Sequence, residues 1–116
     1  PFYYIDEENR LFVHGGIIPG QDPSQVHPED LMWSRDLYNL WRNGNEPIHC
    51  PGFKTVFLGH SSVGKYIDHP VFSGNVVFMD TGGGWEGVLS IYNITTGQID
   101  TSDPVRELYP DFRPRG

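Results

Sequence analysis

The sequence predicts an α+β fold that is rich in β-strands and has one main helix near residues 28–42. The 116 residues include no Ala and only 7 Leu but 17 Val plus Ile, a balance that disfavours a helical bundle and favours strands. Gly (14) and Pro (10) supply the many turns that short strands need, at a level below that of disordered chains. With 37% hydrophobic residues and an ordinary one-domain length, the chain can bury a single core.

Short apolar runs bounded by turn residues predict the strands. The first two runs flank the polar turn Asp6–Asn9 and form a predicted hairpin. The run Asn75–Met79 is apolar on both faces, which predicts an interior strand, whereas residues 64–74 show no pattern and are predicted to be irregular. The predicted strand segments are Phe2–Ile5, Arg10–Val13, Thr55–Leu58, Asn75–Met79, Gly87–Ile94 and Gln98–Thr101, the last two as a hairpin with one solvated face.

The main helix is predicted to begin at Pro28 and to end before Gly44. Pro suits the first helical position, and Glu29 and Asp30 complement the helix dipole in the first turn. His27, directly before Pro28, is expected to cap the helix or lie on the surface. The apolar stripe expected to face the core consists of Trp33, Leu37, Leu40 and Trp41.

Charge and cysteine content exclude several classes of function. The formal net charge is −7, and no run of basic residues is present to cover a phosphate backbone, so nucleic-acid binding is not expected. The single Cys50 excludes an internal disulfide and a zinc site built from several thiolates. The apolar runs are far shorter than the ~20 residues that span a bilayer, and we expect a soluble, cytoplasmic protein without membrane contact.

Two histidines follow strands in similar turns. His14 comes directly after the strand Arg10–Val13 and precedes two glycines, and His60 follows Leu58 and Gly59. Two neutral imidazoles on neighbouring strand ends can bind a borderline divalent cation such as zinc, manganese or iron. The alternative is that each is a hydrogen-bonded turn histidine. Two ligands do not complete a catalytic site, since zinc enzymes use three protein ligands and an open position.

Four ordered segments resemble the calcineurin-like metallophosphoesterases, in particular the phosphoprotein phosphatase branch. The resemblance extends over about residues 10–94. The matching segments are Phe12–Gly20, Leu31–Arg35, Val56–Ser61 and Met79–Gly82 with the following Gly87–Leu89.

This resemblance assigns roles to individual residues. His14 and His60 match the two histidines that hold one metal of a two-metal centre, whose ions are manganese, iron or zinc. Arg35 matches an arginine that contacts substrate phosphate, a role suited to a planar, permanently charged group. Asp80 matches a strand end beside the site and is expected to organise the backbone instead of binding metal. Ser62 stands where the wider superfamily has a further metal histidine, a difference that points to the phosphoprotein phosphatase branch.

Several motifs of that family do not occur in this sequence. The family's DxH, GDxxDRG and GNHE segments supply the other metal ligands and the general-acid histidine, so the resemblance implies no catalytic residue here. Because these motifs are missing and the chain opens on Pro1, we expect the C-terminal half of a metallophosphoesterase domain, inactive alone and able to self-associate. The resemblance implies that this half is the β-rich part of a β-sandwich flanked by helices. The parent enzyme is expected to hydrolyse phosphate esters of proteins, nucleotides or small molecules with two divalent metal ions.

The alternative function is a non-catalytic β-rich binding or interaction module. The 14% aromatic content and the missing motifs favour it. The enzyme hypothesis requires the imidazoles of His14 and His60 to converge on one metal position, whereas the binding-module hypothesis makes no such requirement. His49 and His69 are expected to be loop residues, and Trp85 either lines the site or packs.

Overall fold

The chain folds into two compact units. The computed structural model describes residues 2–63, 67–83 and 87–104. One unit comprises Pro1–Ser61 with Phe72–Phe78, and the other comprises Ser62–Val71 with Met79–Gly116. The described residues confirm the predicted α+β class, since they contain a five-stranded sheet, a two-stranded sheet and helices. Within these ranges, every helix is too short or too polar to cross a bilayer.

The five-stranded sheet combines antiparallel and parallel neighbours. The strands are β1 (Tyr3–Ile5), β2 (Arg10–Val13), β3 (Thr55–Leu58), β4 (Val71–Ser73) and β5 (Val76–Phe78), in the order β1-β2-β3-β5-β4. Strand β1 pairs antiparallel with β2, whereas β2 with β3 and β3 with β5 are parallel pairs. The interior position predicted for the run that forms β5 is confirmed. The irregular structure predicted for residues 64–74 is wrong at β4, because three residues are too few to show an alternating pattern.

The predicted helix is divided in two. Helix α1 spans Pro28–Trp33 and helix α2 spans Asp36–Asn43. Ser34 separates them with an extended backbone, φ −60° and ψ 138°. Its hydroxyl accepts a hydrogen bond from the Asp36 N–H at 3.2 Å and donates one to the Asp36 carboxylate at 3.0 Å. A serine side chain that competes for backbone groups in this way favours a new helix start over continuation.

His27 caps the first helix, as predicted. Its Nδ1 accepts a hydrogen bond from the Glu29 N–H at 3.2 Å. A single turn of 3-10 helix, Pro23–Gln25, precedes this cap. The 14-residue segment between β2 and α1 therefore ends in a 3-10 turn and a hydrogen-bonded helix cap.

The interruption at Ser34 changes which side chains of the helices enter the core. Leu37 is buried and Trp41 packs on Phe78 with ring centroids 5.5 Å apart, as the apolar stripe predicts. Trp33 and Leu40, by contrast, are 59% and 47% exposed, so their predicted core positions are wrong. The stripe assumed one continuous helix, and the break rotates Trp33 out of register with α2. The sheet face that contains Phe78 also contributes the buried residues Leu11, Val13, Val56, Leu58 and Val76.

The second unit contains the predicted hairpin of β6 (Ser90–Tyr92) and β7 (Ile99–Thr101). The buried Thr81 hydroxyl donates to the Val88 carbonyl at 2.7 Å and contacts the Ser90 hydroxyl. The Asp80 carboxylate accepts a hydrogen bond from the Gly82 N–H at 3.0 Å, which agrees with its expected role as a backbone organiser. Trp85 lies outside the described residues.

Candidate functional site

The candidate site forms where β2 and β3 end side by side. The parallel register pairs Val13 with Leu58, so both strands end at the same edge of the sheet. The Gly59 N–H then donates to the His14 carbonyl at 2.9 Å, which extends the pairing beyond the strands. The backbone thus brings His14 and His60 together although 45 residues separate them in the sequence.

The two imidazole rings are neighbours. Their centroids lie 5.1 Å apart, and the ring planes are inclined by 48°. Two imidazoles that share one ion at about 2.1 Å per nitrogen, with a near-tetrahedral angle, have ring centroids about 5 Å apart. The observed separation therefore fits two ligands of a single ion.

His60 occupies the apex of a tight turn. Its φ is +62°, a left-handed backbone conformation that residues other than glycine rarely adopt. The Ser61 N–H donates to the Gly59 carbonyl at 2.7 Å across His60, which closes a three-residue turn. Such backbone conformations cost about 1–3 kcal/mol and cluster at functional sites.

The glycines after His14 contact the break between the helices. The N–H groups of Gly15 and Gly16 both donate to the Leu31 carbonyl, at 2.8 and 3.2 Å. A Cβ atom on Gly15 would lie 2.7 Å from the backbone carbon and oxygen of Met32. Only glycine permits this approach, which fixes the end of α1 beside His14.

Trp33 is the site residue that sequence reasoning missed. As the last residue of α1, it contacts both imidazoles with its indole ring. The centroid distances are 5.2 Å to His60 and 6.5 Å to His14, with interplanar angles of 78° and 89°. Its position directly before Ser34 and Arg35 in the matching segment was the available signal, but the apolar stripe assigned it to the core.

Arg35 lies at the N-cap of α2, two residues after Trp33. Its side chain is exposed, and its guanidinium has neither a hydrogen bond nor an ion pair to any residue that the structure describes. The neighbouring Asp36 carboxylate accepts a hydrogen bond from Ser34 instead. The charge of Arg35 is thus available to an anion.

The polar groups that the structure describes near the pair form no larger cluster of metal ligands. Within residues 2–63, 67–83 and 87–104, no three His, Cys, Asp or Glu side chains are grouped to hold a metal ion. The Ser61 side chain is buried next to His60, and its Oγ has no hydrogen-bond partner among the described residues. His49 is exposed, and His69 directs Nδ1 to the Pro70 carbonyl oxygen at 3.0 Å, both in loops as expected.

Cys50 is not a candidate nucleophile. The side chain is completely buried, and burial raises the pKa of its thiol to about 11. The thiol is therefore neutral at physiological pH, whereas the thiolate is the reactive form. The chemistry of the site rests on imidazole, indole and guanidinium groups.

Comparison with known proteins adds no relative. No protein-family model and no curated protein sequence matches the chain. The function must therefore be argued from the residues, which are two neighbouring imidazoles and, on the adjoining segment, an arginine that is unpaired among the described residues.

Proposed function

We propose that this chain contributes part of the active site of a metal-dependent phosphoesterase of the calcineurin-like, phosphoprotein phosphatase type. His14 and His60 would hold one divalent ion, and Arg35 would bind the phosphate of the substrate. The observation that carries the proposal is the 5.1 Å separation of the two imidazole rings, which suits two ligands of one ion. The four ordered sequence segments support it independently.

The metal chemistry suits phosphate ester hydrolysis. Divalent ions at such a centre lower the pKa of bound water and neutralise charge on the phosphoryl group. Imidazole nitrogens are suitable ligands for zinc, iron and manganese sites. The neutral imidazole is the form of histidine that binds a metal ion.

Arg35 would supply the fixed charge for the substrate. A guanidinium stays protonated and can form two parallel hydrogen bonds with phosphate oxygens. Since Asp36 is engaged by Ser34, no described carboxylate neutralises Arg35. On this proposal, the remaining metal ligands and the general acid come from polypeptide outside these 116 residues.

The direct test is metal binding by the chain. Calorimetric titration with Zn²⁺ and Mn²⁺ should show one ion per chain, and His14→Ala and His60→Ala should each weaken binding at least tenfold. His49→Ala is the matched control and should bind normally. Unchanged affinity in both variants of the pair would contradict the metal site.

The test of activity separates this chain from the proposed enzyme. We expect no measurable hydrolysis of p-nitrophenyl phosphate by the 116 residues with Mn²⁺, because the other ligands are missing. Inorganic phosphate should bind the metal-loaded chain, less tightly after Arg35→Ala and with partial recovery in Arg35→Lys. Robust turnover by the chain alone would show that its site is complete.

A binding module remains the second candidate function, and one surface feature favours it. A groove of about 500 Å³ lies beside α2 and has both apolar and polar lining residues. It is lined by Ile18, Pro19, Asp36, Asn39, Leu40, Asn43 and Gly44. A chain that binds neither metal nor phosphate would favour this function over hydrolysis.

A further inference from the structure

The indole of Trp33 has an unusual environment for a large apolar side chain. It is 59% exposed, yet its ring contacts are the imidazoles of His14 and His60. Both contacts are edge-to-face, the arrangement that aromatic rings prefer over direct stacking. Because the indole is largely exposed, its burial contributes little to stability. Its contacts with the two imidazoles are therefore the feature of Trp33 that calls for an explanation.

His60 has the rarer backbone conformation of the two histidines. Its backbone has a φ of +62° in a turn closed by the Ser61 N–H and the Gly59 carbonyl. A histidine in this conformation has lower-energy alternatives in the right-handed and extended regions. The Trp33 ring lies against the His60 ring, with the two centroids 5.2 Å apart.

Trp33 is itself held in place by the backbone. The Gly15 and Gly16 N–H groups donate to the carbonyl of Leu31, two residues before Trp33. The Gly59 N–H donates to the carbonyl of His14. The segments that contain the three rings are thus joined by backbone hydrogen bonds, which holds the backbones that bear the rings close together.

We propose that Trp33 is a positioning residue for the histidine pair: an aromatic ring at this position holds both imidazoles in the orientation that one divalent ion requires. The inference rests on the proposed function, because it assumes that the pair binds metal. Residues that orient metal ligands change affinity 10- to 100-fold when they are replaced. Restricting two rings in advance also reduces the entropy lost on binding.

The test uses Zn²⁺ affinity of the full 116-residue chain. Trp33→Ala and Trp33→Leu should weaken Zn²⁺ binding about tenfold or more, whereas Trp33→Phe should restore most of it by returning a ring. Trp41→Phe is the matched control, since Trp41 packs on Phe78 instead of the histidines, and its Zn²⁺ affinity should be normal. The Trp33→Leu variant tests whether an apolar side chain without a ring supports normal Zn²⁺ affinity.

A spectroscopic readout separates positioning from general stability. Ni²⁺ and Cu²⁺ quench a nearby indole. With Trp85 also replaced by Phe in both proteins, either ion should reduce the emission of Trp41→Phe and quench Trp33→Phe much less. The thermal midpoint of metal-free Trp33→Phe should stay close to that of the unaltered chain, because the exposed ring contributes little to the core.

The outcomes distinguish this inference from the proposed function. If His14→Ala abolishes Zn²⁺ binding but Trp33→Ala and Trp33→Leu bind normally, the positioning role is wrong and the metal site stands. If His14→Ala and His60→Ala both bind Zn²⁺ normally, both proposals fail. Equal loss in Trp33→Phe and Trp33→Ala, with folding intact, would also overturn the role of the aromatic ring.

Discussion

At the scale of single residues, the turn after β2 depends on the absence of a side chain at position 15. The closest backbone atoms of Met32 and Ser34 would lie 2.7 and 2.8 Å from a Cβ there. Backbone atoms cannot move aside as the end of a flexible side chain can. Gly15 is therefore required by packing, independently of its own φ angle.

We expect Gly15→Ala to lower the free energy of unfolding by about 1–3 kcal/mol, the usual cost of forcing an extra group into a packed region. Gly59→Ala is the matched control, because a Cβ at Gly59 would make ordinary contacts of 3.8 Å with His14. Urea unfolding of both variants provides the measurement. Equal stabilities would contradict the close approach seen at Gly15.

A second residue-scale prediction concerns Asp6 and acid. Burial raises the pKa of this carboxyl, but hydrogen bonds from Arg10 and Glu8 together outweigh it, and the net pKa lies below the usual 3.8. A lowered folded-state pKa means that the carboxylate stabilises the fold above pH 3.8 and that this contribution is lost as the pH falls further. Asp6→Asn should therefore be less stable than the unaltered chain at pH 7.

The measurement is urea unfolding of both proteins between pH 7 and pH 2.5. Their difference in stability should shrink as the pH falls below 3.8, the ordinary value for this carboxyl. Glu7→Gln, an exposed neighbour, provides the control. A difference that is constant over the whole range would exclude Asp6 as the titrating group.

At the scale of elements, Asn75 ties the β4–β5 turn to the loop before β3. Its amide donates to the carbonyls of Cys50 and Phe53, at 2.8 and 3.0 Å, and its side-chain oxygen accepts from the Cys50 N–H at 2.8 Å. One side chain thus satisfies three backbone groups of a segment without secondary structure of its own. This arrangement keeps Cys50 buried.

Asn75→Ala should destabilise the fold by about 2 kcal/mol or more, since removing one side chain leaves several backbone groups unpaired. It should also accelerate labelling of Cys50 by a thiol reagent. Asn45→Ala, at an exposed position, is the control and should change neither property. Slow labelling in both variants would show that the loop stays closed without Asn75.

The elements differ in how well the sequence predicts them. Runs such as Thr55–Leu58 contain enough apolar residues to show a strand, and β3 forms as predicted. The break at Ser34 is invisible to helical periodicity, because hydrogen bonding between Ser34 and Asp36 decides it. The assignment of Trp33 failed for the same reason: its environment depends on where the helix ends.

The proximity of the two histidines is predictable only in part. Each follows a strand, but their meeting requires β2 and β3 to be parallel neighbours in matching register, which no local pattern specifies. The turn at His60 is likewise hidden, since nothing in Gly59–Ser61 indicates a left-handed backbone at the histidine itself. Tertiary pairing therefore determines the site, and local sequence marks only its candidates.

At the scale of the whole molecule, metal binding should stabilise the folded chain. A ligand that binds only the folded state at 100 times its dissociation constant contributes about 2.7 kcal/mol. For a chain of this size, that corresponds to an increase of about 10 °C in the thermal midpoint. Calorimetry with and without Zn²⁺ measures the shift. A chain with both His14→Ala and His60→Ala should show no shift.

The shift in the thermal midpoint also depends on the division of the chain into two units. Both histidines belong to the unit that contains the five-stranded sheet, so Zn²⁺ should raise the transition of that unit. If the chain unfolds in a single transition, the whole transition should shift. An unchanged midpoint at saturating Zn²⁺ would show that the ion does not prefer the folded chain.

The hydrogen bond from Gly59 to His14 also bears on how far apart His14 and His60 must lie in the sequence. Because the two rings meet through adjacent strands, their distance in space is set by strand register and not by the length of chain that connects them. The exposed residues 44–47 lie within that connection and outside any strand or helix. Sequences with the same site can therefore differ widely in the interval between these histidines, and a search for a fixed interval would overlook them.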